Sequence, residues 1–370
     1  MFAASSMIWL LLPLGIALGW ALARRAPAAP APVGRVDYNG SPPPAETQSQ
    51  EALRVLGTSY RRQGDVARAI ALHEQLVAAA TSADQASTQG DAARLELAQD
   101  YLKAGLMDRA EALLQQLVGR GTPSLSALEL LISVHEQAHD WKHAAAATER
   151  LQSAKGADLR QRLAHYRCEI AEQHRTAGEA DAAEQQARRA QETCPESVRA
   201  SLLAGDLAER RGDMKSALNA WKRVPKQDAR FISEVLPRMQ RGCIALAVPR
   251  QFEEWLEELD GPAEDAACVV RERAHLAGVH GEDVAAYLAA RLEARVNWPG
   301  ILGWVTAQQA KYTQDPGFPR VAAALTKHIT QQPSYLCTAC GLQPNLLFWQ
   351  CPSCKRWGSV VPADAVLQGR

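Results

Sequence analysis

The sequence predicts an all-α chain, a solenoid of stacked helical hairpins with an apolar helix at its N-terminus and a small four-cysteine module at its C-terminus. Three observations lead there. A helical pattern recurs at intervals near 34 residues between 50 and 230, the first 23 residues carry no charge, and four cysteines close the chain as Cys337-x2-Cys340-x10-Cys351-x2-Cys354. At 370 residues the chain is long for one compact core, which agrees with a repeat architecture.

The run MIWLLLPLGIALGWALA, within residues 1–23, is long and apolar enough to cross a hydrocarbon core of about 30 Å as a helix. Arg24, Arg25 and Arg35 follow it. A cleaved signal peptide, the alternative, carries its positive charge before the apolar stretch; charge after it marks an uncleaved anchor with the long C-terminal part in the cytoplasm. Residues 24–50, rich in Pro and Ala, have too few large apolar side chains to fold and read as a semi-extended linker.

Five copies of one pattern follow in residues 51–230. They run Leu56-Gly57, Tyr60, Gly64, Ala69; Leu97-Ala98, Tyr101, Gly105, Ala110; Leu131-Ile132, His135, His139, Ala144; Ile170-Ala171, His174, Gly178, Ala183; and Ala204-Gly205, Ala208, Gly212, Ala217. The period and residue types resemble the tetratricopeptide repeat, a helix-turn-helix unit that stacks into a right-handed solenoid. Small residues such as Gly57 and Ala69 let paired helices approach, and Gly followed by Asp at 64 and 212 supplies a turn and the cap of the next helix. The usual register of such repeats implies a concave, protein-binding groove faced by Arg54, Thr58 and Arg61 of the first unit and Gln99 of the second. In residues 231–332 the pattern decays, but FEEWLEEL, ACVVRERAHLAG and VAAYLAARLEA keep helical periodicity, with breaks at Gly261-Pro262 and Trp298-Pro299. These residues read as two or three degenerate hairpins.

Residues 333–370 hold the strongest chemical signal. Each C-x-x-C turn brings two sulfurs to one ion, and two such turns complete the tetrahedral shell zinc prefers in structural sites. With every position filled by Cys, no ligand slot is left for water or substrate. Gly341 suits a knuckle needing positive φ. Beside zinc stand a pair of disulfides or four unrelated buried thiols, and an iron electron carrier of rubredoxin type, since a soft four-sulfur shell also accepts iron. Lys355 stands where rubredoxin knuckles usually have a second Gly. Tyr335, Phe348, Trp349 and Trp357 are expected to form an apolar shell against the last helices. Cys168, Cys194, Cys243 and Cys268 have no ligand spacing and read as small core residues.

Lys plus Arg (41) balances Asp plus Glu (41), which excludes a general nucleic-acid binder. No phosphate loop, H-E-x-x-H, G-x-S-x-G or paired-carboxylate arrangement is present, so the chain is not expected to be an enzyme.

The combination of anchor, repeats and four-cysteine module resembles the lipopolysaccharide assembly protein B family. RRQGDVARAIALHEQL, YLKAGLMDRAE, AHYRCEIA and YLCTACG…WQCPSCKRW look like its sequence. The resemblance implies an adaptor of the bacterial inner membrane, its bulk in the cytoplasm, that cooperates with the membrane-anchored AAA+ zinc protease to degrade the deacetylase committing flux to lipid A. It also implies an inner-membrane antagonist and lipopolysaccharide assembly proteins as partners, a metal module packed on the repeats, and Cys337, Cys340, Cys351 and Cys354 as metal ligands. A passive scaffold for envelope enzymes is the remaining reading. Family members usually begin their repeats soon after the anchor, whereas Ala26 to Gln50 is Pro-rich here, which leaves open any contact made through a first repeat.

Overall fold

The computed structural model describes residues 45–83, 88–119, 124–312 and 315–363. The predicted anchor and the linker up to residue 44 lie outside the described residues. Among those described, no helix is long and apolar enough to cross a membrane.

Ten helices form five consecutive antiparallel hairpins: α1 (Ala45–Gln63) with α2 (Val66–Ala83), α3 (Thr88–Lys103) with α4 (Met107–Val118), α5 (Leu125–Gln137) with α6 (Trp141–Lys155), α7 (Arg160–Thr176) with α8 (Ala180–Thr193), and α9 (Val198–Arg210) with α10 (Met214–Trp221). Each hairpin packs on the next, so the five predicted units are the five that form. The five alanines of the repeat pattern, Ala69, Ala110, Ala144, Ala183 and Ala217, are completely buried.

The turn between paired helices is the same device five times. The chain leaves the first helix through a left-handed residue, and the next amide donates back to a carbonyl five residues earlier: Asp65 N–H to Tyr60, Leu106 to Tyr101, Asp140 to His135, Glu179 to His174, Asp213 to Ala208. This satisfies carbonyls that a helix end leaves open. Glycine supplies positive φ at four turns, but the third uses His139 at φ 56°, a conformation that costs a side-chain-bearing residue energy. Asp65, Asp140 and Asp213 then cap the second helix by accepting the amides of Arg68, His143 and Ser216.

Small residues set the spacing inside two hairpins. A Cβ at Gly57 would lie 2.5 Å from His73 Nε2, and one at Gly205 would lie 2.2 Å from Trp221 Nε1. His73 therefore fills the space against Gly57, fully buried, bonded to the equally buried Asp100 and to the Arg54 carbonyl. Cys168 and Cys243 are core residues, while Cys194 and Cys268 are half-buried.

Past the fifth hairpin the chain forms the one-turn α11 (Val224–Gln227), a 3-10 turn (Ala229–Phe231), α12 (Ile232–Ala245), α13 (Pro249–Glu257), the short α14 (Gly261–Glu264), α15 (Ala267–Val279), α16 (Val284–Ala294), α17 (Trp298–Lys311) and α18 (Gly317–Gln331). The two expected breaks are helix starts, where Pro262 and Pro299 sit near the first turn and lose no hydrogen bond. Among the described residues the fold departs from all-α in one place. Strands β1 (Tyr335–Cys337) and β2 (Val360–Pro362) pair antiparallel, with Leu336 opposite Val361, and frame the cysteine knuckles as a ribbon.

Because Gly205 lies against the fully buried Trp221, Gly205→Ala is expected to lower stability by about 1–3 kcal/mol through overpacking. Denaturant unfolding followed by tryptophan emission measures it; an unchanged midpoint would mean that the helices separate without cost.

Candidate metal centre and its seat on the repeats

The local chain folds so that both knuckles turn back on themselves. Gly341 (φ 77°) donates its amide to the Cys337 carbonyl, and Lys355 (φ 58°) donates to that of Cys351, each at 2.9 Å. Lys355 thus occupies the same left-handed position as Gly341 although it carries a side chain.

The four Sγ atoms lie within 4.8 Å of one another, the one such cluster of metal-ligating groups among the described residues. Cys337 and Cys354 approach to 3.8 Å and Cys340 and Cys351 to 3.7 Å. These separations are far beyond a disulfide bond of about 2.05 Å. They match the edges, about 3.8 Å, of a tetrahedron whose metal–sulfur bonds are about 2.3 Å. Burial opposes charge on Cys337, but the Ser359 hydroxyl and the amides of Cys340 and Ala339 outweigh it and bring its thiol down to about 6. Burial and the neighbouring Cys337 and Cys354 sulfurs push Cys351 up to about 11. The donor set fits a thiophilic ion, and the four sulfurs leave no position for a substrate.

The ribbon does not sit against the last helices, as its aromatic residues suggested. It folds back onto the third and fourth hairpins. Trp357 meets Tyr166 and Trp141 edge-on at 5.6 and 5.8 Å and stacks on His165 at 5.1 Å. Trp349 stacks on Phe231 at 5.5 Å, and the Arg199 guanidinium lies over both indoles. Phe348, by contrast, is exposed.

One carboxylate gathers the polar ends. Glu136, at the close of α5 and 11% exposed, accepts from Trp357 Nε1 at 2.8 Å, Tyr166 Oη at 2.5 Å, Arg162 at 2.9 Å and Gln350 Nε2 at 3.4 Å. On the other side, Tyr335 Oη donates to Glu234 Oε1 at 2.5 Å.

Of the residues expected to face a groove, Arg54, Thr58 and Arg61 reach from the first unit to the second. Arg61 donates to Glu96 at 2.5 Å and Asp100 at 2.7 Å, Arg54 and Thr58 also reach Glu96, and Gln99 is half-buried on α3. The polar ends of Arg54, Thr58 and Arg61 thus serve the contact of α1 with α3. Glu136, His165 and Arg199 have no motif, because what defines their roles is contact with residues about 150 to 220 positions further along the chain.

Comparison with known proteins agrees with this layout. Residues 335–362 match the rubredoxin metal binding domain family, and residues 95–158 and 168–225 match a tetratricopeptide repeat family. Lipopolysaccharide assembly protein B of Escherichia coli K12 is 25% identical over 338 residues, covering 86% of this chain and 82% of the relative. Its Haemophilus influenzae counterpart is 26% identical over 263 residues, covering 65% of this chain and 61% of the relative. A solved tetratricopeptide repeat protein from Parabacteroides merdae, 16% identical, aligns with a TM-score of 0.34 over 68% of this chain and 94% of its own.

Two outcomes follow from the seat. A structural zinc contributes on the order of 10 to 16 kcal/mol in small metal domains, so replacing Cys351 and Cys354 with Ser should leave Cys337–Val360 in fast hydrogen exchange; retained protection would mean that aromatic packing suffices. Burial first, and Arg199 second, hold His165 neutral down to about 3 against an ordinary 6.5. A depressed histidine value favours folding above the unfolded pKa, and this contribution is lost as pH falls from about 6.5 toward 3, at about 1.4 kcal/mol per unit. Between pH 7 and 5.5 the wild-type denaturation midpoint should therefore fall faster than that of His165→Phe; parallel curves would place His165 in water.

Proposed function

We propose that this chain, a relative of lipopolysaccharide assembly protein B along most of its length, is a non-enzymatic adaptor in the control of lipopolysaccharide synthesis. One observation carries the reading: a metal-site ribbon clamped onto helical repeats through the Glu136 cluster, in a chain aligned with those relatives through both parts. Such repeats present surface for protein partners, and the closed sulfur shell supplies rigidity and no reaction centre.

In its full form the reading has residues 1–23 as an inner-membrane anchor and those from 24 to the start of α1 at Ala45 as its linker, the expected linker bound of 50 falling inside that helix; the repeats then run to 230, with 231–332 as their degenerate continuation and 333–370 as the metal module. Zinc fills the four-sulfur site, and the bulk of the chain faces the cytoplasm. The partners are the membrane-anchored AAA+ zinc protease and the deacetylase that commits flux to lipid A, which the chain brings together for degradation. An inner-membrane antagonist and the assembly proteins for lipopolysaccharide complete the set. The family resemblance supports these partners, and the uncharged N-terminal run supports the anchor.

Depleting the protein should raise the deacetylase level several-fold within a few generations, and crosslinked purification from membranes should recover the protease with the full chain but not with one lacking residues 1–25. An unchanged deacetylase level would overturn the proteolytic role. Recovery of biosynthetic enzymes without protease would instead identify a passive scaffold, and red, reversibly reducible protein an iron electron carrier.

A further inference from the structure

Among the described residues, the first hairpin lacks what the next three have, a helix packed over the leading apolar residue of the repeat pattern. Leu97, Leu131 and Ile170 lie in clusters shared with the preceding hairpin and are only 3%, 6% and 5% exposed. Leu56, at the same position of the first hairpin, is 43% exposed, and Val55 beside it is 57% exposed. We propose that this face of α1 seats one amphipathic helix of a partner protein, a helix with apolar residues at positions i and i+7 and a carboxylate at i+4.

The second hairpin shows what fills such a seat. Its Leu97, Tyr101 and Ala110 meet Ile70 and Val77 of α2, and Tyr101 Oη donates to Glu74 of the same helix at 2.7 Å. Ile70, Glu74 and Val77 are the i, i+4 and i+7 positions of one helical face. The Arg109 guanidinium lies 5.8 Å from the centre of the Tyr101 ring. The first hairpin repeats this equipment: Leu56, Tyr60 and Ala69 stand for Leu97, Tyr101 and Ala110, and the Arg68 guanidinium lies 5.7 Å from the centre of the Tyr60 ring. No acceptor among the described residues reaches the half-buried Tyr60 hydroxyl. The Arg68 side chain meets Asp65 at 3.3 Å but is 70% exposed, and a guanidinium carries five donors. Phenol and guanidinium together therefore form a prepared place for a carboxylate.

Charge and composition select the occupant. Where the second hairpin has Glu96, which takes Arg54, Thr58 and Arg61 of α1, the first has Val55. The seat thus offers an apolar edge and no acceptor for an arginine-bearing first helix, so a single helix fills it where a whole hairpin fills an interior joint. The chain's own residues 1–44 do not carry the pattern. Residues 1–23 have no acidic side chain, and Asp37, the one acid in 24–44, is followed at the i+7 place by Gly40. A second copy would have to give up α2, which carries the pattern but is already packed on α3.

The seat rests on the reading of the chain as a protein-binding one, though not on its pathway, and failure of the test below would leave the depletion experiment untouched. The probe is a helix-stapled peptide with the sequence of Val66–Ala83, titrated against the full, metal-loaded chain in detergent. It should bind saturably. Binding should weaken about five- to tenfold, the effect of one lost hydrogen bond, when the peptide carries Glu74→Ala or the chain carries Tyr60→Phe, and should vanish with Leu56→Glu. Leu56 is exposed and Tyr60→Phe keeps the ring, so both chains should unfold at the wild-type midpoint. Tyr101→Phe should leave binding unchanged; a loss equal to that of Tyr60→Phe would mean that the peptide displaces α2, and would overturn the seat. So would the absence of saturable binding below millimolar peptide, or binding indifferent to Leu56→Glu. A photoreactive side chain at position 56 that captures a second copy, or the chain's own residues 1–44, would give the face to that occupant instead.

Discussion

The carboxylate of Glu136 is the interaction on which the two parts of the molecule depend. It sits at the end of α5, nearly enclosed, and takes donors from α7 and from the ribbon at once. A buried charge is tolerable only when its hydrogen-bonding capacity is used, and here a guanidinium, a phenol and an indole use it. Trp357 Nε1 completes that set from the ribbon, and the indoles of Trp349 and Trp357 supply the packing that holds the ribbon to the third and fourth hairpins.

The hairpins beneath are built on a second constraint, close approach. Fully buried alanines recur at one position in all five units, and glycine faces a large ring in the first and last. With helices this close, the large side chains are pushed outward to the joints between units. Tyr101 and Trp141 are nearly fully buried there. The polar network of His73, Asp100, Arg61 and Glu96 then joins the first hairpin to the second, a buried ionic joint that holds only because each member is paired.

Much of this was legible in the sequence because it is local. Gly64, Gly105, Gly178 and Gly212 announce turns whose hydrogen bonds span five residues, and the cysteine spacing announces a cluster closed within about twenty. The third turn was legible only through its period, since His139 bears none of glycine's signature. What the sequence did not disclose is where the ribbon goes. Trp349 and Trp357 read correctly as packing residues, but their partners lie in α5, α6, α7, α9 and the turn after α11, and nothing in the local pattern of LISVHEQ marks its glutamate as the acceptor for an indole 221 residues away. The register that assigned Arg54, Thr58, Arg61 and Gln99 to a groove is generic, and it does not disclose that Glu96 and Asp100 take the arginine and threonine ends through ion pairs and a hydrogen bond.

Stacked repeats are ordinarily one-dimensional: each unit knows only its neighbours, and such a chain frays from its ends inward. The return of the C-terminal ribbon to α5 abolishes one of those ends. Residues 137 to 349 become a closed loop, so helices such as α17 and α18, whose own burial is slight, lie inside a tether and not at a loose terminus. Closing so long a loop costs only logarithmically more entropy than closing a short one. The clasp can form only after the last cysteine has left the ribosome, which makes synthesis of the whole chain a precondition for the cooperative form of the solenoid.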